Sequence, residues 1–384
     1  MRVDFKHSDS YHYDPLFLRD CCACPKCVDQ STRQKLFSTT DISPNIRVRN
    51  MWQDADVTHF TWNNDLSGFG PDHVTSIAHT FLQRSVTRTP VPTYRTGKRL
   101  WAAAEFEANH TTFDYEAYMS DDRVFFEALR QLHRYGLVFV RGVPNEEPFV
   151  AAIANRIGPL KNTFYGPTWN VRSVAQAKNV AYTAQDLGFH MDLLYMHQPP
   201  RIQLLHCLKA SDSGGISLFS DSYLAAEKLF QRDRASFDAL TDHNVNFHYD
   251  NDSQHLHQSR RVIQLVGAPL DPNRKSIQGL LDAVNWSPPF QGPFHSNIDD
   301  RSLVTQVRQW HKAAQAFRDL VETKTAVYER QMPPGECVIF DNRRVLHART
   351  AFSGGERWLR GCYIDSDPLL SKMRVLSRQY GSPT

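Results

Sequence analysis

Apolar positions recur at three- and four-residue spacings from Asp122 to Tyr135, where Val124, Phe125, Leu129 and Leu132 share one face behind Ser120 or Asp121 as a cap. That spacing predicts a core-facing helix. The period then changes. Leu137-Val138-Phe139-Val140 is a continuous apolar run that reads as a buried strand, and a second helix follows from about Pro148 to Ile157. Short strand-like segments come next: Ile202 to Leu208, Ile216 to Phe219, Val262 to Val266, Ala326 to Arg330, Cys337 to Phe340, Val345 to Ala348 and Trp358 to Ile364. One long amphipathic helix, Ser302 to Thr323, interrupts them. Many strands without regular strand–helix alternation predict an α+β, mainly β fold built on a jelly-roll sandwich, the cupin-like double-stranded β-helix. Upstream, Arg47 to Val74 is alternating and turn-rich, with Asn63-Asn64-Asp65, Gly68 and Gly70-Pro71-Asp72, which predicts a small β-rich N-terminal domain. Thr87 to Thr96 carries Pro90 and Pro92 and few apolar residues, as a linker does. The expected division is 1–86, a connection over 87–120, and a jelly-roll domain over 121–384.

Composition narrows the function. The chain has 384 residues, 41% of them hydrophobic and 22% charged, so it can bury a large core. A net charge of +3 with no basic stripe speaks against nucleic acid as a partner. No apolar run approaches a membrane span, and Met1-Arg2-Val3-Asp4-Phe5-Lys6 looks like neither a signal nor a transit peptide. A soluble cytoplasmic protein is expected. Four of the seven cysteines fall in Cys21-Cys22-Ala23-Cys24-Pro25-Lys26-Cys27, too tight for several disulfides. Thiolates separated by one and two residues can converge on a zinc ion with a later histidine, and His59, His73 and His79 are the candidates. A group of reduced, non-ligating thiols is the bland alternative.

The strongest chemical signal is Phe189-His190-Met191-Asp192, answered by Leu346-His347. Side chains two apart share a face of an extended strand, so His190 and Asp192 can point at one ion that a distant His347 completes. Two histidines and a carboxylate on one face leave positions open, the arrangement of non-haem Fe(II) oxygenases. A bare His-x-Asp pair is common by chance, but here Arg357 and Gly214-Gly215-Ile216-Ser217 accompany it. A guanidinium fork plus the hydroxyl of Ser217 suits the far carboxylate of 2-oxoglutarate. His197 and His206 read as structural or surface residues.

Further motifs lie along nearly the whole chain: Leu18-Arg19-Asp20, Asp72-His73-Val74, Thr163-Phe164-Tyr165-Gly166 with Trp169, Asn179-Val180-Ala181-Tyr182-Thr183, Pro199-Pro200, Ile202 to Lys209, Asp341-Asn342 and Arg357 to Tyr363. In these the sequence resembles the carnitine-synthesis 2-oxoglutarate dioxygenases, the gamma-butyrobetaine and trimethyllysine enzymes. The resemblance implies iron at His190, Asp192 and His347, and structural zinc at Cys22, Cys24, Cys27 and His73, with Cys21 spare. It implies 2-oxoglutarate at Arg357 beside Ser217, and a homodimer; ascorbate could accompany the cofactors. It also implies a trimethylammonium cage of Tyr165, Trp169, Tyr182 and Tyr363, with Asn179 and Asn285 toward the substrate carboxylate. The implied reaction is hydroxylation of gamma-butyrobetaine to carnitine with release of succinate and CO2. Trimethyllysine or another betaine, and a cupin-like binding protein without turnover, are the alternatives. Met191, Arg201, Arg343 and Arg360 depart from the pattern, standing where Thr, Gly, Trp and an acid are usual.

Overall fold

The computed structural model describes residues 1–4, 10–86, 97–172, 184–251, 253–266, 273–294 and 300–381. It divides into two units, Met1–Thr93 and Tyr94–Thr384. In the first, helix α1 (Pro15–Asp20) starts where the Asp14 side chain accepts from the Leu16 N–H. Strands β1 (Arg47–Gln53), β2 (Val57–Asn63) and β3 (Thr75–Ala78) form one antiparallel sheet in that order. Its core is small: Val3, Tyr13, Leu18, Ile42, Ile46, Phe60, Trp62, Leu66, Ile77 and Leu82. So few buried side chains stabilise a unit only marginally, as the sequence leads one to expect.

The second unit opens with β4 (Thr112–Asp114), α2 (Asp122–Tyr135), β5 (Leu137–Arg141), α3 (Pro148–Ile157), β6 (Thr168–Arg172), β7 (Leu187–His190) and β8 (Ile202–Lys209). Helix α2 begins where the Asp121 carboxylate accepts from the N–H groups of Arg123 and Val124. It ends at Gly136, whose φ of 75° a side chain would resist. After β8 come β9 (Ser217–Asp221), α4 (Ser222–Arg232), α5 (Arg234–Asp242), the hairpin of β10 (Asn244–Asn251) and β11 (Gln254–Arg261), and α6 (Asp300–Glu322). The chain closes with β12 (Tyr328–Arg330), β13 (Cys337–Asp341), β14 (Val345–Arg349), β15 (Trp358–Ile364) and α7 (Ser366–Tyr380).

Two sheets make the jelly roll. The larger has the order β4-β5-β13-β8-β15-β6 and the smaller β12-β9-β14-β7. Apart from the parallel β4–β5 pair, every ladder in them is antiparallel. Strands β5, β13 and β14 are buried along almost their whole length, hence the apolar runs Leu137–Val140 and Cys337–Phe340, while β14 sets His347 and Arg349 among buried apolar neighbours. None of the described helices is long and apolar enough to cross a membrane.

Three readings change. Residues 97–120 are no connection. Trp101, Phe106 and Tyr118 are fully buried, Ala103–Asn109 is helical, and β4 joins the larger sheet, so this stretch is part of the second unit. The polar hairpin β10–β11 went unread because Asn, His, Asp, Ser and Arg fill its solvent face. Helices α4, α5 and α7 were also left unread, although Leu369, Met373 and Leu376 of α7 recur at helical spacing.

Candidate active site and zinc centre

In the first unit, the three sulfurs of Cys22, Cys24 and Cys27 lie 3.5, 3.4 and 3.5 Å from His73 Nε2. A tetrahedral zinc, with Zn–S about 2.3 Å and Zn–N about 2.0–2.1 Å, puts sulfur and nitrogen about 3.5 Å apart. The donor set fits the ion. Its support is complete as well: Asp65 accepts from His73 Nδ1 at 2.7 Å and from Arg19 Nε at 2.5 Å. Arg19, fully buried between Phe37 and Phe69, also reaches Cys27 Sγ at 3.4 Å. An arginine beside three thiolates offsets their negative charge, and the carboxylate fixes the imidazole tautomer. His59 bonds Ser76 and Asp54 instead, and His79 is not in the cluster.

In the second unit, register assembles the triad. β7 and β14 pair with His190 opposite His347, and the chain turns just past β7 to deliver Asp192. Met191 between them is fully buried and points elsewhere. Asp192 Oδ1 lies 3.3 Å from His190 Nε2 and 3.9 Å from His347 Nε2. All three donors fall within 4.8 Å of one another, close enough for one ion with bonds of about 2.0–2.2 Å. The other oxygen, Oδ2, accepts from Gln203 Nε2 at 2.8 Å and Tyr363 Oη at 2.6 Å. One oxygen is thus held by the protein and the other left for metal. Asn342 fixes the backbone, accepting from Asp192 N at 2.8 Å and donating to its carbonyl at 3.1 Å. Burial pushes the Asp192 carboxyl up, but His190, His347 and Tyr363 outweigh it and hold it well below the usual carboxylate range. Burial, then the neighbouring His190, pushes His347 down to about 3. A carboxylate and a neutral imidazole are the ligating forms.

A cavity opens over the triad, lined by Tyr165, Trp169, Tyr363, Ser217, Arg357 and Gln203, and also by Tyr195, Phe290 and Arg349. Gly215 makes room for Arg357: its φ is 70°, and a Cβ there would come within 3.1 Å of the Arg357 side chain. Arg357 has no hydrogen-bond partner among the described residues; its guanidinium sits 5.7 Å from the Phe352 ring centre. Burial and the nearby Arg349 push its pKa down to about 10, so it stays charged at neutral pH. Arg349 shares the face of His347 two residues on and pairs across the sheet with Ser217. Two arginines on one cavity suit a dicarboxylate.

The aromatic residues are only partly where the sequence suggests. Trp169 and Tyr363 stack on each other at 3.9 Å, so they make one double-layered wall rather than two facing ones. Tyr165 joins Phe164, Tyr195, Tyr249 and Phe290 in a continuous aromatic group. Tyr182 and Asn179 lie outside the described residues. Asn285 is not on the cavity: fully buried, it donates to the Arg261 carbonyl and to Gln264, and accepts from Arg343 at 2.6 Å. That corrects its expected role, because Arg343, standing where Trp is usual, takes its carbonyl oxygen. The other departures are structural too: Arg201 pairs with Asp341 at 2.8 Å and Arg360 with Glu147 at 3.0 Å. Gln203 and Asn342 lie within motifs named above, but their spacing alone gave them no role. Gln203 could have been found as the lone polar residue within the apolar strand Ile202 to Leu205.

A jelly roll with a two-histidine, one-carboxylate triad beside a cavity arginine defines an Fe(II)/2-oxoglutarate-dependent dioxygenase, and this chain is one. Residues 94–363 match the family described as taurine catabolism dioxygenase TauD, TfdA family, and the chain belongs to that family. Residues 1–69 match the gamma-butyrobetaine hydroxylase-like N-terminal family. Dioxygenase str8 of Strobilurus tenacellus is 35% identical, covering 96% of this chain and 88% of that protein. Gamma-butyrobetaine dioxygenase of Pseudomonas sp. (strain AK-1) is 30% identical, over 94% of this chain and 90% of its own length. Human mitochondrial trimethyllysine dioxygenase is 26% identical, over 96% and 83%.

Proposed function

We propose that this dioxygenase hydroxylates an unactivated carbon of a trimethylammonium acid, gamma-butyrobetaine first, giving carnitine, succinate and CO2. The observation that carries it is the meeting of Tyr165, Trp169 and Tyr363 with the triad and two arginines in one cavity. A quaternary ammonium donates no hydrogen bond, so aromatic faces are its natural partners, each contact contributing about 0.5–2 kcal/mol. Bound iron would supply oxygen activation at the three donors. The chain's own part is positioning: Arg357 with Ser217 would hold the far carboxylate of 2-oxoglutarate, and Gln203 and Tyr363 keep Asp192 aimed. The Trp169–Tyr363 wall would orient the substrate, and the surrounding aromatic rings exclude water.

A second reading is favoured by Tyr195 and Phe290, which extend the aromatic lining, and by the loss of Asn285 from the site. On that reading the substrate is a bulkier apolar molecule. Succinate release across a panel of gamma-butyrobetaine, its neutral carbon isostere, trimethyllysine and aromatic acids separates the two. Gamma-butyrobetaine should be turned over fastest, with the isostere about ten- to a hundredfold worse, the loss of roughly 1–3 kcal/mol of cation–π attraction. Faster turnover of any other member sinks the assignment.

Arg357→Lys keeps charge but loses the two-pronged contact. It should raise the KM for 2-oxoglutarate by about tenfold or more, as when a charge-assisted bond of about 1.5–3 kcal/mol is lost. The substrate KM should stay within about twofold, the ordinary scatter of surface effects. Equal changes in both would place the arginine elsewhere.

A further inference from the structure

The hairpin β10–β11 carries a group of donors that the oxygenase chemistry does not use. Its register sets His248 opposite His257 and Asp250 opposite His255. Residues two apart on a strand share a face, so the four side chains form a two-by-two grid, and all four are exposed. Cross-strand neighbours have Cβ atoms about 4.5–5.5 Å apart, and the next pair along is about 7 Å away. That spacing lets imidazoles and a carboxylate reach one ion. The Asp250–His255 edge is already closed, with Oδ2 and Nδ1 3.4 Å apart. His248 lies over Gly292, where a Cβ would come within 2.8 Å of its Nδ1. Among the described residues the donors already within 4.8 Å of one another are the triad and the Cys3His cluster, so at the hairpin the four exposed side chains must turn toward one another to hold an ion.

The opposite face of the hairpin is equally specific. Phe247 and Tyr249 are buried, and Tyr249 packs against Phe164 at 5.2 Å, Tyr195 at 5.2 Å and Tyr165 at 6.3 Å. Two of these rings line the cavity. Ordinary surface histidines would be scattered over both strands and mixed with Lys or Glu. Here three occupy one face in facing or adjacent register, with a carboxylate as the fourth corner.

We infer that His248, Asp250, His255 and His257 form a third metal site for a borderline divalent cation such as Zn2+, which pins the hairpin behind the aromatic wall of the cavity. Imidazole and carboxylate donors on an exposed, adaptable surface suit zinc, nickel or copper better than calcium or magnesium. The site lies outside both the triad and the Cys3His cluster, and it does not depend on which substrate the enzyme takes.

The test is zinc uptake by the holoenzyme, already carrying its structural zinc and iron, under argon. Wild type should take up one more equivalent of Zn2+ than His255→Ala/His257→Ala, with succinate turnover the same in both. Hydrogen exchange gives a second measurement that folding faults would not mimic: added Zn2+ should slow exchange of residues 244–261 in wild type by at least threefold, and not in the variant. His248→Gln alone should weaken uptake while keeping the fold. Equal uptake by wild type and the double variant overturns the inference, as adventitious binding. So does uptake that leaves exchange in the hairpin unchanged.

Discussion

His347→Ala protein should fold, bind zinc at its N-terminal unit and release no measurable succinate. The expected loss is at least about a thousandfold, because a catalytic metal contributes several kcal/mol of charge stabilisation and each 1.36 kcal/mol is tenfold. His347 belongs to β14, yet its loss should leave that strand in place, since Val345, Leu346 and Ala348 are buried around it. Gln203→Leu is the graded companion. It removes one of the two donors to Asp192 Oδ2, and such supporting contacts are worth about ten- to a hundredfold. Succinate assays beside iron analysis separate the cases: the alanine variant should lose iron, and the leucine variant should keep most of it while turning over slowly. Wild-type-like turnover by His347→Ala would remove the triad from the chemistry.

The second large effect falls on the N-terminal unit. Cys27→Ala should cost the protein its zinc and, with it, the order of residues 10–86. Structural zinc in small domains contributes apparent binding free energies of about 10–16 kcal/mol, and zinc bound here would be coupled to folding. The core of this unit is ten buried side chains, too little to stand without the ion. Arg19 would be left buried beside an emptied cluster, its bonds to Asp65 and Cys27 reduced to one. Metal analysis and limited proteolysis check it. Zinc below about half an equivalent in the variant and fast cleavage before residue 87 are expected, against about one equivalent and resistance in wild type. A zinc-free variant that resists protease would show that the cluster is dispensable for the fold.

The triad was legible because its chemistry is encoded locally: His-x-Asp at a strand end and a histidine in an apolar strand need no third dimension to be noticed. Arg349 and Gln203 were less visible. Their roles come from register, Arg349 opposite Ser217 and Gln203 beside Tyr363 on the neighbouring strand, and register between distant strands is not written in local spacing. Asn285 was misplaced for a related reason. Position 343 decides where its amide goes, and the Arg343 contact that captures it crosses 58 residues of chain. Residues 97–120 were read as a connection after the Pro-bearing Thr87–Thr96 stretch; the burial of Trp101 and Phe106 and the pairing of Thr112–Asp114 with β5 show them to be core.

Zinc at the Cys3His cluster and iron at the triad would load in a fixed order as the chain is made. Cys27 and His73 are 46 residues apart, whereas the Asp192–Asn342 clasp of the triad spans 150. Closing the longer loop costs about 1 kcal/mol more in chain entropy, and time adds to the difference. At about 5–20 residues per second, His347 leaves the ribosome roughly 15–55 s after His73. All four zinc ligands are therefore available while most of the jelly roll is still unmade, and the iron ligands meet only when β14 closes against β7. Iron scarcity would leave a folded, zinc-bearing protein waiting for its second metal.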